Sequence, residues 1–253
     1  MELGLRGKRA IVTGGTRGIG RKIVELLVAE GCHVGFCARD KGQVEDCVAR
    51  LSGNAAIIRG ASIDVTDDVG LQTWVGETAD DLGGLDILVA NASALAGQAD
   101  ADAWRVGIEV DILGTVHAVD AAVPHLQKSS AASITAIAST AAVNTSGGVR
   151  AYSGVKAALI NYLSGLSTNL GAKGIRANTV SPGAIFFEGG VWDVRKREAP
   201  AAYEAAVARS PFARLGTPEE VANAVVFLAS PAASYISGAN LIVDGASTTR
   251  VQF

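Results

Sequence analysis

The stretch "RAIVTGGTRGIG", residues 9–20, carries the strongest indication of the fold. A short apolar run ends at Thr13, and Gly14, Gly18 and Gly20 lead from it into a helical pattern. Glycines permit a tight turn and a close approach to the backbone, while the first turn of a helix presents free N–H groups that attract anions. The glycine spacing differs from G-x-G-x-x-G, but the same physics applies. The stretch predicts a strand, a phosphate-binding turn and a helix; an ordinary strand–helix turn is the alternative.

The alternation of apolar runs and helical patterns continues along the chain. The runs are continuous rather than alternating, which is typical of strands buried on both faces of a parallel sheet. Strands are predicted at Arg9–Gly14, His33–Ala38, Ala55–Gly60, Leu85–Ala90, Ala132–Ser139, Ile175–Val180 and Asn240–Gly245. Helices are predicted at Gly18–Glu30, Trp104–Gln127, Ala151–Gly171 and Pro218–Ser230. The pattern predicts an α/β fold in which residues 1–253 form one doubly wound, Rossmann-type domain with about seven mostly parallel strands.

Composition excludes several classes of protein. The 253 residues are 49% hydrophobic and carry a net charge of −3, without the clustered basic face that nucleic-acid binding needs. No apolar run has the length of a membrane span, and no secretory signal pattern precedes the first strand. Three cysteines without metal-ligand spacing and three scattered histidines predict no metal site. We expect a soluble cytoplasmic protein that binds neither nucleic acid nor membrane.

One segment, residues 184–215, is longer than a usual connection and contains the aromatic residues Phe186, Phe187, Trp192 and Tyr203. Long connections in compact domains are often functional, and this one follows a strand at the sheet end where open α/β folds bind ligands. We expect it to form a lid over a substrate. Its aromatic residues either line an apolar pocket or pack the lid onto the core.

The end of the second strand, "CARD" (residues 37–40), bears on nucleotide choice. An acidic residue there binds the ribose 2′-hydroxyl of NAD, whereas a cation accommodates the 2′-phosphate of NADP. Ala38 lies at the acidic position, Arg39 follows it, and Arg17 adds a second cation. The sequence favours NADP(H), with NAD(H) as the alternative because a shift of register would bring Asp40 to the ribose.

The segment "AYSGVKAAL", residues 151–159, places Tyr152 and Lys156 four positions apart on one helical face. A free phenol has a pKa of about 10, which is too high for an efficient base at neutral pH. A neighbouring ammonium favours the phenolate. The pair therefore indicates acid–base chemistry, although an isolated Tyr-x-x-x-Lys would be read as helix surface.

Taken in order, the motifs resemble those of the short-chain dehydrogenase/reductase family over nearly the whole chain. They are "TGGTRGIG", Asp64-Val65, "LVANAS" at Leu88–Ser93, Ser139, "YSGVK" at Tyr152–Lys156 and "NTVSPG" at Asn178–Gly183. The later stretch "RLGTPEEVANAVVFLASPAASYISGANLIVDGA" resembles the 3-oxoacyl-carrier-protein-reductase-like branch.

This resemblance implies a role for each matching residue. Tyr152 would exchange a proton with the substrate oxygen, Lys156 would bind the nicotinamide ribose and stabilise the tyrosinate, and Ser139 would hydrogen-bond the substrate oxygen. A serine hydroxyl also steadies a developing alkoxide. The implied cofactor-binding residues are Gly14, Thr16, Arg17, Gly18, Ile19, Gly20, Arg39, Asp64, Val65, Asn91, Tyr152, Lys156, Pro182, Gly183 and Ile185.

The chain departs from the family pattern at three places. Asp111 in "VDILGT" replaces an asparagine implied to hold a helix distortion and a proton-relay water; we count it as a fourth catalytic candidate and expect a changed pH dependence, with a purely structural role as the alternative. "ANAS" replaces "NNAG". Phe187 lies near a threonine that contacts the carboxamide in the family, so anchoring of the nicotinamide differs here.

We predict an NADP(H)-dependent oxidoreductase that acts on a hydrophobic ketone or secondary alcohol, such as a 3-oxoacyl thioester, a steroid, or a cyclic or aryl ketone. The alternative is a nucleotide-binding regulator or scaffold of the same fold without catalysis. The resemblance implies a homotetramer or homodimer, and Phe253 is expected to pack into a neighbouring subunit.

Overall fold

The computed structural model describes residues 2–53, 55–145 and 147–249. The expectation for Phe253 therefore lies outside the described residues. Within these ranges, no helix combines the length and the apolar character that a transmembrane span requires.

In the described part of the chain, seven strands form one parallel sheet in the order β3-β2-β1-β4-β5-β6-β7. This confirms the predicted fold class. The order reverses between β1 and β4, which creates the crevice where open α/β sheets bind ligands. The strands are β1 (Arg9–Thr13), β2 (His33–Ala38), β3 (Ile58–Ser62), β4 (Ile87–Ala90), β5 (Ser133–Ile137), β6 (Arg176–Pro182) and β7 (Asn240–Val243).

Helices cover both faces of the sheet. One core lies under α1, α2 and α9, and the other under α3, α5 and α6. Neighbouring residues of β1 enter opposite cores, Val12 the first and Ile11 the second, which explains the continuous apolar runs. The helices are α1 (Gly18–Ala29), α2 (Lys41–Leu51), α3 (Asp68–Asp81), α4 (Ala101–Gly107), α5 (Gly114–Leu126), α6 (Ala151–Gly171), α7 (Val191–Glu198), α8 (Pro200–Arg209) and α9 (Pro218–Ala229).

Two predicted elements differ from the structure. The third strand lies at Ile58–Ser62 and not at Ala55–Gly60, so its apolar start belongs to the preceding connection. The continuous helix predicted for Trp104–Gln127 is wrong, because a π-helical segment at Ile108–Leu113 separates α4 from α5. The apolar periodicity runs through this segment, whereas the backbone there forms the wider i→i+5 turns of a π-helix.

The three cysteines are buried and unbridged. Burial raises the pKa of both Cys32 and Cys37 to about 12. Cys32 Sγ also donates a hydrogen bond to the Leu5 carbonyl at 3.3 Å. These groups therefore act as core packing and not as reactive thiolates.

A buried carboxylate ties β1 to the segment before β4. Asp86 is 1% exposed and accepts hydrogen bonds from the Arg9 backbone N at 2.9 Å, Arg9 Nε at 2.7 Å and Ser129 Oγ at 2.5 Å. Burial alone raises the pKa of Asp86, but the hydrogen bonds from Arg9 and Ser129 outweigh it and lower the pKa overall. The carboxylate therefore stabilises this end of the sheet in its ionised form.

We expect Asp86→Asn to lower the free energy of unfolding by about 3 kcal/mol near neutral pH, because Arg9 loses its buried partner. The pKa of Asp86 is lower in the folded chain than its unfolded value of about 3.9. The contribution of Asp86 to the free energy of unfolding is therefore complete above its unfolded-state pKa. It disappears as the pH falls through the lower pKa of the folded chain. Urea unfolding at neutral and at acidic pH measures this; a deficit of equal size at both would contradict the assignment.

Candidate active site

The predicted site residues come together at the carboxyl edge of the sheet. The glycine turn follows β1, Arg39 follows β2, Asp64 and Val65 follow β3, Asn91 follows β4, and Ser139 follows β5. Pro182 ends β6, with Gly183 and Ile185 directly after it. Tyr152 and Lys156 lie in the first two turns of α6, and Asp111 lies in the π segment.

The glycine turn needs glycine at each of its three predicted positions. Gly14 and Gly18 have φ angles of 68° and 53°, which side chains rarely adopt. A Cβ on Gly20 would lie 2.1 Å from the Gly14 carbonyl oxygen and 2.4 Å from Asn91 Nδ2. Arg17 stands at the N-cap of α1 without a side-chain cap hydrogen bond. The first N–H groups of α1 therefore face a cradle that fits a pyrophosphate.

Asn91 and Thr13 join the glycine turn to β4. Asn91 Nδ2 donates to the carbonyl oxygens of Thr13 at 3.0 Å and Gly14 at 2.9 Å. The Thr13 hydroxyl accepts from the backbone N of Asn91 at 3.0 Å and of Ala92 at 3.1 Å. The Asn91 amide thus holds the turn in shape. Sequence reasoning missed Thr13, although a polar residue at the end of a buried strand was a visible signal.

Substitution of Gly20 tests this cradle. We expect Gly20→Ala to lose about 1–3 kcal/mol of NADPH binding free energy through overpacking against Gly14 and Asn91, an affinity loss of about 5- to 150-fold. Gly165→Ala in α6 is the matched control, because a Cβ there meets nothing within 4 Å. Calorimetric titration with NADPH measures both variants, and equal affinities would contradict the assignment of the turn.

The two arginines predicted to favour NADP(H) are free to contact a 2′-phosphate. Arg17 and Arg39 are exposed, and neither has an ion-pair partner among the residues that the structure describes. Asp40 is the N-cap of α2, and its carboxylate accepts from the Gln43 backbone N at 2.9 Å. Gln43 Oε1 in turn accepts from Thr16 Oγ1 at 3.1 Å. Asp40 is therefore engaged in capping, which weakens the NAD(H) alternative.

A buried ion pair lies beneath the predicted acid–base pair. Lys156 and Asp111 are 2% and 1% exposed, and Lys156 Nζ lies 2.9 Å from Asp111 Oδ1. The ammonium donates a hydrogen bond to the Ile137 carbonyl at 2.7 Å, while Asp111 Oδ2 accepts from the Ala94 backbone N at 2.9 Å. Within the described part of the chain Oδ1 accepts no hydrogen bond, and its contact with the ammonium is an ion pair. Sequence reasoning identified Asp111 but not this pairing.

Tyr152 lies beside the same ammonium, and Ser139 follows β5 at the same end of the sheet. Lys156 Nζ lies 5.8 Å from the centroid of the Tyr152 ring. The Tyr152 backbone N donates to the Ala96 carbonyl at 2.9 Å, which fixes the start of α6 against the loop after β4. Ser139 Oγ accepts from the Ala141 backbone N at 3.1 Å and keeps its own proton to donate. The arrangement holds a phenol, an ammonium and a hydroxyl at one end of the sheet.

The segments after β3 and β6 complete the edge. Asp64 is exposed and its Oδ1 accepts from the Thr66 backbone N at 3.0 Å, while Val65 is buried against Gly114. The Gly183 backbone N donates to the Val243 carbonyl at 3.0 Å. A Cβ on Gly183 would lie 2.7 Å from the Asp244 Cβ, so the chain passes close to the end of β7.

The lid contains α7 and α8, and its base is closed by a parallel bridge between Ile185 and Gly216. The Phe187 ring lies over the glycine turn, where a Cβ on Gly18 would come within 2.7 Å of it. The lid therefore contacts the turn directly, through the residue that replaces the usual threonine. No signal in the sequence indicated this contact.

The other lid aromatics pack within the lid. Phe186 and Tyr203 meet edge to face at 6.2 Å between ring centroids, and Lys196 Nζ lies 5.5 Å and 5.6 Å from these two centroids. The guanidinium carbon of Arg195 lies 4.7 Å from the centroid of the Trp192 ring. These contacts lie within the lid itself, so they decide neither for the pocket lining nor for the packing onto the core that the sequence left open.

Comparisons with known proteins agree with this geometry. The family model described as enoyl-(acyl carrier protein) reductase matches residues 14–248. Isoepoxydon dehydrogenase of Penicillium expansum is 39% identical over 100% of this chain and 99% of its own. The 3-oxoacyl-[acyl-carrier-protein] reductase of Chlamydia pneumoniae is 31% identical over 98% of this chain and 100% of its own.

A solved structure shares the fold over nearly the whole chain. It is a short-chain dehydrogenase of Burkholderia cenocepacia in complex with NADP, which has a TM-score of 0.87 and 29% identity over 96% of this chain and 98% of its own. Together with the glycine turn and the Ser139, Tyr152 and Lys156 arrangement, these matches lead to one conclusion. The chain belongs to the short-chain dehydrogenase/reductase family.

Proposed function

We propose that this protein is an NADP(H)-dependent oxidoreductase that transfers a hydride between the nicotinamide and a ketone or secondary alcohol. The observation that carries the proposal is the placement of Tyr152 beside the buried Lys156, at the sheet edge that holds the glycine turn. The cofactor supplies the hydride when bound. Its choice of NADP(H) is supported by Arg17 and Arg39, and by the NADP complex of the Burkholderia relative.

We assign the proton chemistry to the chain's own residues. Tyr152 donates its phenolic proton to the carbonyl oxygen during reduction and accepts a proton from the alcohol during oxidation. Ser139 donates a hydrogen bond to the same oxygen and stabilises the developing charge. Lys156 favours the phenolate and would contact the nicotinamide ribose, and Asp111 together with Ile137 O fixes its position.

The remaining cofactor contacts follow the edge of the sheet. Gly14, Thr16, Gly18, Ile19 and Gly20 would border the pyrophosphate, because they line the cradle at the start of α1. Asp64 and Val65 would border the adenine, and Asn91 the ribose. Pro182, Gly183 and Ile185 would border the nicotinamide, at the base of the lid.

The substrate is proposed to be a hydrophobic carbonyl or alcohol, because the lid at 184–215 is aromatic and the relatives include an isoepoxydon dehydrogenase and a 3-oxoacyl-[acyl-carrier-protein] reductase. We propose a homotetramer or homodimer, supported by small side chains along α5 and α6 that permit close packing between subunits. A reducing compartment such as the cytoplasm suits the three buried free thiols.

Loss of nicotinamide absorbance tests the proposal, with NADPH and NADH each offered to cyclic, aryl and 3-oxoacyl ketones. We expect turnover with NADPH to exceed turnover with NADH, and Arg39→Ala to reduce that preference. Lys41→Ala is the matched control, since it removes a neighbouring cation that is 80% exposed and already lies 3.8 Å from Glu45. Tight NADPH binding without turnover on any substrate would instead favour a non-catalytic regulator, which the departures at Asp111 and Ser93 motivate.

A further inference from the structure

The charge balance around Lys156 differs from what the family pattern implies. An asparagine at position 111 would leave the ammonium as an uncompensated positive charge beside the phenol. Asp111 places a carboxylate oxygen 2.9 Å from Lys156 Nζ, and both side chains are nearly inaccessible to water. Because charges interact strongly where water is excluded, the carboxylate opposes the field that Lys156 exerts on its surroundings.

The carboxylate is held in this position by the π segment. Its Oδ2 accepts from the Ala94 backbone N at 2.9 Å, and the Asp111 carbonyl accepts from the Thr115 hydroxyl at 2.8 Å. Oδ1 accepts no hydrogen bond from any described residue and lies 2.9 Å from the ammonium. The residue is therefore fixed through Oδ2 and its backbone carbonyl, with the other buried oxygen directed at Lys156.

No other acid takes this position in the described part of the neighbouring elements. Asp102 and Arg105 are exposed and pair with each other at 2.5 Å, and Glu109 is exposed. The remaining groups are bound to backbone: Asp100 caps α4, Arg150 bonds the Gly147 carbonyl and Arg176 bonds carbonyls at the end of α9. The charged groups on the elements packed against the start of α6 are thus Asp100, Asp102, Arg105, Glu109, Asp111, Arg150, Lys156 and Arg176.

We propose that Asp111 is a positioning residue which, by opposing the charge of Lys156, keeps Tyr152 protonated to higher pH than an asparagine there would. The inference rests on the proposed function, since it concerns the proton donor of that site. Carbonyl reduction requires the phenol and alcohol oxidation requires the phenolate. Wild-type protein therefore retains carbonyl reduction further into alkaline pH, at the expense of oxidation near neutral pH.

The test compares Asp111→Asn with wild type in both directions over a range of pH. The substitution removes the negative charge and leaves one oxygen, which can accept from the Ala94 backbone N as Oδ2 does now, while Ile137 O still accepts from the ammonium. We expect the alkaline decline of carbonyl reduction and the acid decline of alcohol oxidation each to move toward lower pH by about one pH unit. Glu109→Gln removes one charge from the same π segment at an exposed position and is expected to leave both midpoints in place.

Ultraviolet titration of tyrosinate gives a second readout that needs no substrate. The chain has 4 tyrosines, and subtraction of the Tyr152→Phe curve isolates Tyr152. Burial, with a smaller effect from Asp120, raises the pKa of Tyr162 to about 12, so its signal appears later in the titration. We expect the Tyr152 signal to appear at lower pH in Asp111→Asn than in wild type.

The two readouts separate failure of this inference from failure of the proposed function. If wild type transfers no hydride, the tyrosinate titration still tests the effect of Asp111. Midpoints that coincide in Asp111→Asn and wild type, or that move toward alkaline pH, would overturn the inference, because a structural role changes the rate by a constant factor. Asp111→Ser, whose hydroxyl can still accept from Ala94 N, replaces the asparagine variant if that protein does not fold.

Discussion

Tyr152→Phe is expected to lose about 100- to 10,000-fold in turnover, the range that a positioned general acid contributes, while binding NADPH with wild-type affinity. The substitution removes only the phenolic oxygen. The ring that lies 5.8 Å from Lys156 Nζ remains, and so does the backbone hydrogen bond from residue 152 to Ala96. The loss should therefore appear in turnover and not in cofactor affinity, because no proton reaches the substrate oxygen.

Tyr162→Phe is the matched control for this loss. Tyr162 lies on the same helix, α6, and is also partly buried. The same change of one oxygen at this position should leave turnover near wild type. Steady-state rates and NADPH titrations on both variants provide the comparison; a Tyr152→Phe enzyme that turns over at the wild-type rate would refute the assignment of the proton donor.

Lys156→Met is expected to have the second-largest effect, because it removes both the ammonium beside Tyr152 and the partner of Asp111. The variant leaves a carboxylate that is 1% exposed without a counter-charge. Loss of one member of a buried pair costs about 3–5 kcal/mol. We expect a lower free energy of unfolding together with the loss of turnover, as measured by urea denaturation and by NADPH consumption.

A double variant separates these two losses. In Lys156→Met with Asp111→Asn, the unpaired carboxylate is gone, so most of the stability should return. Turnover should not return, since the ammonium proposed to bind the nicotinamide ribose beside Tyr152 is still missing. Recovery of turnover in the double variant would show that Lys156 serves the fold alone.

The fold and much of the site were predictable because their signals are local. The apolar run, the glycines and the following helix lie together in residues 9–20, and Tyr152 and Lys156 lie one helical turn apart. The continuous apolar strands predicted a sheet buried on both faces. Each of these features depends on neighbouring residues, so periodicity and turn chemistry are enough to identify it.

The remaining features arise from contacts between distant parts of the chain. The π segment around Asp111 keeps the apolar periodicity of an α-helix, and the ion pair with Lys156 forms only once α6 packs against that segment. The contact of Phe187 with Gly18 likewise depends on how the lid folds back over the glycine turn. The spacing of these residues along the sequence does not indicate that they lie close together in the fold.

The central claim is that this protein moves a hydride from NADPH to a carbonyl carbon with Tyr152 as the proton donor. Its most direct test uses NADPH deuterated at the transferable position of nicotinamide C4, with mass spectrometry of the alcohol formed from a ketone that wild type accepts. We predict deuterium on the carbinol carbon with wild type. In Tyr152→Phe, we predict that deuterium incorporation is slowed by the same factor as turnover. Bound NADPH that leaves no deuterium in any product across the ketone panel would contradict the account.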